Sequence, residues 1–171
     1  WPCDAQENDL AVYPDGDVPI RFSFPRQTSR EGLCLADYFA PASSGRKDIV
    51  AFQIVTLGQV SADHVHRLQE TTGITEAFYA HGLAVQLAEV AAGFVHDVIR
   101  KELGLGRKRG KRYSWGYDAL PDLSQHDQLF KLLPAEEELG LHMTSAWQFI
   151  PEYTTAAMVV HHPAASYFRM D

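Results

Sequence analysis

Six consecutive residues, Arg112-Tyr113-Ser114-Trp115-Gly116-Tyr117, concentrate the groups in this chain best suited to holding a small ligand. Arg112 offers a planar fork of donors that matches a carboxylate. Gly116 removes a side chain, so a ligand can approach the backbone closely. The rings of Tyr113, Trp115 and Tyr117 can face a flat base or a cation. Together they suit a small zwitterionic or nucleotide-like ligand. For Arg112 a structural salt bridge is as good a reading as a ligand carboxylate.

Other candidate chemistry is thinner. The eight histidines include His64 and His66, which face different sides of a helix, and the adjacent His161 and His162, which point to opposite sides of a strand. Neither pair has Cys or carboxylate partners at ligand spacing, so no metal is assigned. The chain has no Gly-x-Ser-x-Gly, no phosphate loop before a Lys-Ser/Thr pair and no dinucleotide fingerprint; Gly104-x-Gly106 ends a helical pattern instead of opening one. No catalytic residue is therefore assigned. Glu89 sits within an alanine-rich helical face, either solvated at its rim or looking into a cleft, where it would favour a cation. Arg100, Lys101, Arg107, Lys108, Arg109, Lys111 and Arg112 form one basic cluster, readable as a solvated loop or as a docking surface for an acidic protein.

The 171 residues are 46% hydrophobic and 22% charged, as expected for one packed domain. A formal net charge of -7 argues against nucleic acid as a partner. Two cysteines, Cys3 and Cys34, fit a reduced, cytoplasmic protein. The opening Trp1-Pro2-Cys3-Asp4 lacks the pattern of a signal sequence and reads as the start of a segment cut from a longer chain. The apolar run from Ala77 to Val98 is interrupted by His81, Gln86, Glu89, His96 and Asp97, so no membrane span is expected.

The elements that must position these groups follow from periodicity. Leu10–Tyr13 and Ile20–Phe24 form a hairpin across Pro14-Asp15-Gly16-Asp17. Leu35–Phe39 makes one or two helical turns. Ile49–Leu57 is a strand buried on both faces. Ser61–Glu70 is a short helix, capped by Ser61 and stopped by Gly73. Thr75–Leu103 is the longest helix. Its Leu83, Leu87, Val90, Phe94 and Val98 line one face, and Ala77, Ala80, Ala84, Ala88 and Ala91 an adjoining narrow one. Apolar on two faces, it should be a central helix with close neighbours. Short helices at Ser124–Leu133 and Ala135–Leu139, then strands at Trp147–Ile150, Ala156–Val160 and Ser166–Phe168, complete the chain. The fold class is α+β: a twisted antiparallel or mixed sheet packed on a long central helix, with shorter flanking helices.

These residues resemble the C-terminal activation domain of cobalamin-dependent methionine synthase. Trp1-Pro2 with Asn8-Asp9-Leu10-Ala11-Val12-Tyr13 is similar to the family's Trp/Phe-Pro, Asp-Asp-Ile and Tyr. Phe24-Pro25-Arg26-Gln27 is similar to its Leu-Arg-Gln-Gln region, and Cys34–Pro41 to its Ser/Cys-Leu-Ala-Asp-Phe-Val-Ala-Pro. Leu83–Glu89 with His96 and Arg100 resembles its long helix. Arg112–Tyr117 resembles its Arg-x-x-x-Gly-Tyr ligand motif, and His162-Pro163 with Tyr167-Phe168 its closing His-Pro-x-x-x-Tyr-Phe/Tyr. Asp118-Ala119-Leu120-Pro121 departs from the family's Pro-Ala-Cys-Pro.

The resemblance implies a domain over residues 1–171, truncated at its N-terminus before an Asp-Trp-x-Pro-Phe-like segment. It implies S-adenosylmethionine as ligand and cobalamin on a neighbouring domain of the same polypeptide, with a flavodoxin-like protein supplying one electron. The implied role is reductive methylation of inactive cob(II)alamin to methylcobalamin, as part of a methyltransferase. By the family's motifs Arg112 holds the ligand carboxylate, the backbone around Ser114 and Gly116 lines the adenosyl group, and Tyr117 belongs to the same ligand motif. Tyr167 and Phe168 close the site, and Glu89 lies near the sulfonium. A free-standing S-adenosylmethionine-binding reactivator or sensor for another corrinoid protein is the alternative, and an α+β interaction domain without a ligand is a third reading.

Overall fold

The computed structural model describes residues 1–28, 31–106 and 109–170. Along them run the strands β1 (Pro2–Gln6), β2 (Asp9–Val12), β3 (Ile20–Ser23), β4 (Asp48–Ile49) and β5 (Ala51–Thr56), then the helices α1 (Gly58–Thr71) and α2 (Ile74–Glu102). After β6 (Lys111–Ser114) come α3 (His126–Leu132), α4 (Ala135–Leu139), β7 (His142–Met143), β8 (Phe149–Ile150) and β9 (Thr154–Val160).

The expected hairpin is β2–β3, with Asp9 opposite Ser23 and Val12 opposite Ile20. β1 adds to its other edge and β4 to β1, giving a four-stranded antiparallel sheet in the order β3-β2-β1-β4. The apolar run expected as one strand is two. It breaks at Val50, fully buried, whose backbone exchanges hydrogen bonds with Trp1 at 2.7 and 2.9 Å. Beyond the break, β5 joins a second antiparallel sheet in the order β5-β9-β6. β7 and β8 form a separate ribbon. Of the expected strand Trp147–Ile150, only Phe149 and Ile150 are extended; Trp147 has φ 56° in the preceding turn. Ser166–Phe168 forms no strand.

The core lies between the two sheets. Phe22 of β3 stacks on Phe52 of β5 with centroids 4.9 Å apart, and Trp115 approaches both at about 6 Å. Such contacts add to the burial of the rings themselves. They also fix the chain just beyond β6.

β9 alternates. Ala156, Met158 and Val160 face the core cluster, while Ala157 and Val159 are buried on the sheet's other face, against which α2 packs. The helix meets the sheet through Ala77, Ala84, Ala88, Ala92 and His96. Its backbone comes close enough that Gln53 Nε2 donates to Ala92 O at 3.0 Å. Only small side chains permit that approach.

This corrects the expectation of a central helix. The face of large residues points away from the sheet: Leu83 is 61% exposed and Phe94 70%. By length and composition α2 could cross a membrane, with 22% of its apolar window buried. Here one side of it lies on a sheet.

The helix ends also differ from expectation. Ser61 is no cap; α1 begins at Gly58, and Ser61 Oγ donates back to Leu57 O. Gly73 (φ 128°) is less a stop than the N-cap of α2. At the far end, Gly104 takes φ 66°, and the amides of Gly104 and Leu105 return to Lys101 O and Arg100 O. That is the glycine-terminated motif read from the sequence.

Candidate functional site

β6 carries Arg112 to the edge of the second sheet. Its register is fixed by pairing with β9, Arg112 opposite Val159 and Ser114 opposite Ala157. Gly110, at φ 77°, enters the strand so close to the end of β9 that a Cβ there would lie 2.6 Å from Val160 O. Sequence reasoning gave no strand here, because four mixed residues show no alternation long enough to stand out.

Beyond β6, Gly116 turns the chain with φ 86°. Its amide donates to Leu120 O, and Leu120 N donates to Tyr117 O, both at 2.8 Å. Trp115, 6% exposed, anchors this turn in the core, while Tyr117 projects outward at 72% exposure. Trp115 thus anchors the turn and lines a second, neighbouring recess rather than the cleft beside Arg112.

Arg112 Nη2 donates to Glu89 Oε2 at 2.7 Å, joining β6 to α2. The arginine side chain is 19% exposed and the glutamate 47%. Of the readings left open, the structure shows Arg112 in a salt bridge, with Glu89 half-exposed at the rim of a cleft.

The chain's last residues form the opposite wall. Tyr113 Oη donates to Ser166 O at 2.6 Å, and burial pushes its phenol pKa well up. Ser166 N donates to Tyr38 Oη at 3.4 Å. Gln27 Nε2 donates to Arg169 O at 2.7 Å. Between these ties Tyr167 stands edge-on to Tyr113, 5.5 Å between centroids, and donates to Arg112 O at 3.2 Å.

The cleft so enclosed measures about 740 Å³ and is walled by Glu89, Arg112, Ser114, Tyr117, Tyr167 and Phe168, with Tyr113, Asp118, Ala119, Leu120 and Arg169. Its size suits a small organic ligand. Gly116 lies in the turn behind, not in the wall. Asp118 and Arg169 add charges with no role assigned from sequence. Asp118 stands where the chain departs from the family's Pro-Ala-Cys-Pro, and only the folded tail brings Arg169 to the site. A second recess of about 800 Å³ shares Glu89, Ser114 and Tyr117 and continues toward α1 and Trp147.

Two members of the basic cluster, Arg100 and Arg109, are tied to backbone carbonyls. Arg107 and Lys108 lie outside the described residues. Arg100 donates to Arg109 O, Gly110 O and Asp97, and Arg109 donates to His161 O at 3.1 Å. These cations fasten the α2–β6 connection. Of the histidines, His161 pairs with Asp48 at 2.8 Å and His66 lies 3.6 Å from Glu70. Among the described residues no group of three or more His, Cys, Asp or Glu could hold a metal ion.

A family model described as "Vitamin B12 dependent methionine synthase, activation domain" matches residues 1–171. The chain is 34% identical to the methionine synthase of Mycobacterium tuberculosis and 33% to that of Mycobacterium leprae, over 197 aligned residues. Each match covers 99% of this chain and 16% of the relative, so the chain spans about a sixth of their length. The fold matches a crystal structure of the MetH reactivation domain bound to AdoHcy, with a TM-score of 0.89 and 23% identity, over 99% of this chain and 58% of that one. The chain belongs to the activation-domain family of vitamin B12-dependent methionine synthases.

Proposed function

We propose that this chain binds S-adenosylmethionine within a cobalamin-dependent methionine synthase and supports reductive methylation of cob(II)alamin to methylcobalamin. The observation that carries the reading is the cleft with Arg112 on one wall, Glu89 at its rim and Tyr167 and Phe168 opposite. AdoHcy in the structurally similar reactivation domain is the demethylated product of such a ligand. Arg112 would hold the carboxylate as a charged fork. Glu89 would stand near the ammonium or sulfonium, where a carboxylate favours positive charge. The backbone at Ser114 would line the adenosyl group, with Gly116 shaping the turn behind it, and Tyr167 would cover it.

When bound, S-adenosylmethionine supplies the methyl group and cobalamin on a neighbouring domain accepts it, after one electron from a flavodoxin-like donor. This chain's share is binding and orientation. Cys3 and Cys34, free and fully buried, accord with a reducing cytoplasm.

Calorimetric titration of S-adenosylmethionine into this chain and into its parent polypeptide tests the reading. Saturable binding that Arg112→Ala weakens is expected. Binding unaffected by Arg112→Ala would remove the cleft as the site, and no binding to either protein would remove the function.

A further inference from the structure

Four charged side chains line the cleft: Glu89, Arg112, Asp118 and Arg169. Two are engaged with each other, Arg112 donating to Glu89 at 2.7 Å. Asp118 is exposed on the wall and has no hydrogen bond or ion pair among the described residues. Arg169 lines the same cleft without pairing with it. The backbone that carries Asp118 is firmly held. Asp118 is the second residue of the turn Tyr117–Leu120, which Leu120 N closes by donating to Tyr117 O at 2.8 Å. Gly116 N ties the same turn to Leu120 O, and Ala119 and Leu120 are buried. Most residue types fill the second position of such a turn, so the turn does not call for a carboxylate. Nor does the helical turn at Leu123–Gln125. Its cap is Asp122, which accepts from Ser124 N at 2.9 Å. Asp118 is thus a carboxylate on a fixed backbone, facing the cleft with both oxygens unused.

Two free carboxylate oxygens match two adjacent hydroxyl donors. Dinucleotide sites recognise their sugar in this way, with an acidic side chain on the ribose hydroxyl. Position along the chain favours the same pairing. Ser114 lies about 7 Å along β6 from Arg112, and the turn with Asp118 follows it. A ligand whose amino-acid end meets Arg112 and Glu89 therefore extends its nucleoside end toward Asp118. We propose that Asp118 accepts hydrogen bonds from the ribose 2′- and 3′-hydroxyls of the ligand and makes the site selective for a ribonucleoside. This inference rests on the S-adenosylmethionine site proposed above and adds an anchor at the end remote from Arg112.

The contact is tested by calorimetry with AdoHcy and its 2′,3′-dideoxy analogue, on this chain and on its parent polypeptide. The native protein should bind the ribose form at least about 10-fold more tightly, as for the loss of a charged hydrogen bond. Asp118→Ala should weaken the ribose form by a similar factor and leave the dideoxy form within about twofold, so that the preference disappears. Arg112→Ala should weaken both forms alike and keep the preference. Urea unfolding without ligand should be the same for Asp118→Ala and the native chain, which separates lost recognition from lost folding. Equal weakening of both sugars by Asp118→Ala overturns the contact, as does a preference that survives it. Binding that depends on Arg112 but not on Asp118 removes this inference alone, whereas absence of binding to either protein removes the S-adenosylmethionine site with it.

Discussion

Arg112 and Glu89 meet at 2.7 Å across the rim of the cleft, one from strand β6 and the other from helix α2. A carboxylate already occupies the fork that an incoming ligand carboxylate would use. The pair is too exposed to contribute much to stability. On the function proposed above, its effect would lie in what the site admits: Glu89 would compete with an anion for Arg112 and attract a cation, and a zwitterion with an adjacent sulfonium would satisfy both.

From this pair follows a selectivity test. Arg112→Ala should weaken S-adenosylmethionine binding by about 1.5–3 kcal/mol, the worth of a charged hydrogen bond. Glu89→Gln should discriminate between ligands instead. It should weaken the sulfonium ligand relative to its neutral thioether product by about 3- to 10-fold, as for one partly solvated charge contact. Competition calorimetry with both ligands measures that ratio. An unchanged ratio would leave Glu89 a rim residue without a role in recognition.

Gly110 sets where β6 begins, and so where Arg112 points. Its φ of 77° disfavours any side chain, and a Cβ would lie 2.6 Å from Val160 O and 3.0 Å from His161 Cα, both backbone atoms. Gly110→Ala should cost at least about 2 kcal/mol through strain and displaced pairing. Gly104 has a similar φ of 66° but open space around it, so Gly104→Ala should cost only about 1 kcal/mol. Urea unfolding of the two variants separates backbone strain from steric clash. Equal losses would mean that close approach to β9 does not hold the strand.

Much of this was legible in the sequence. The β2–β3 hairpin showed in alternation around a turn, and α2 showed within a residue of its ends because a proline-free run closed on two glycines. Arg112, Ser114, Tyr117, Tyr167 and Phe168, named from residue type and motif resemblance, come together on one cleft. What failed was orientation. Leu83, Leu87, Val90, Phe94 and Val98 looked like a core face because periodicity records which residues share a side, not which side meets the sheet. Gln53, reaching Ala92 O, helps decide it by requiring the alanine side to lie close. β1 was missed because Cys3, Asp4 and Ala5 are all buried and show no alternation; Asp4 is held there by Tyr13 and Lys47.

That correction predicts an inverted mutational pattern. Ala92→Leu adds bulk at a position with no exposure, beneath β5, and should destabilise by about 1–3 kcal/mol. Phe94→Ala removes a ring that is 70% exposed and should stay within about 0.5 kcal/mol. Thermal melts of both, with ligand absent, would decide it. A larger loss at Phe94 would restore the picture of a helix buried by its bulky side.

His96 gives the fold an acid-sensitive point beside the cleft. It is 6% exposed, and its Nε2 has no partner. Burial first, then the charges of Arg100 and Arg112, push its pKa from 6.5 down to about 4. The unfolded chain thus takes up a proton at a higher pH than the folded one. The stability tied to neutral His96 is present in full above pH 6.5 and is lost as pH falls from 6.5 toward 4, by up to about 3 kcal/mol. His126, also lowered by burial, acts in the same direction. Asp48 acts lower. Burial would raise its pKa, but hydrogen bonds from Ile49 N, His161 and Ala40 N outweigh this and hold it below 3.8, so its contribution is lost beneath that pH. Urea unfolding between pH 7.5 and 4.5 should show the native chain losing stability steadily, and His96→Gln losing distinctly less. Parallel profiles for the two proteins would assign the acid sensitivity to other groups.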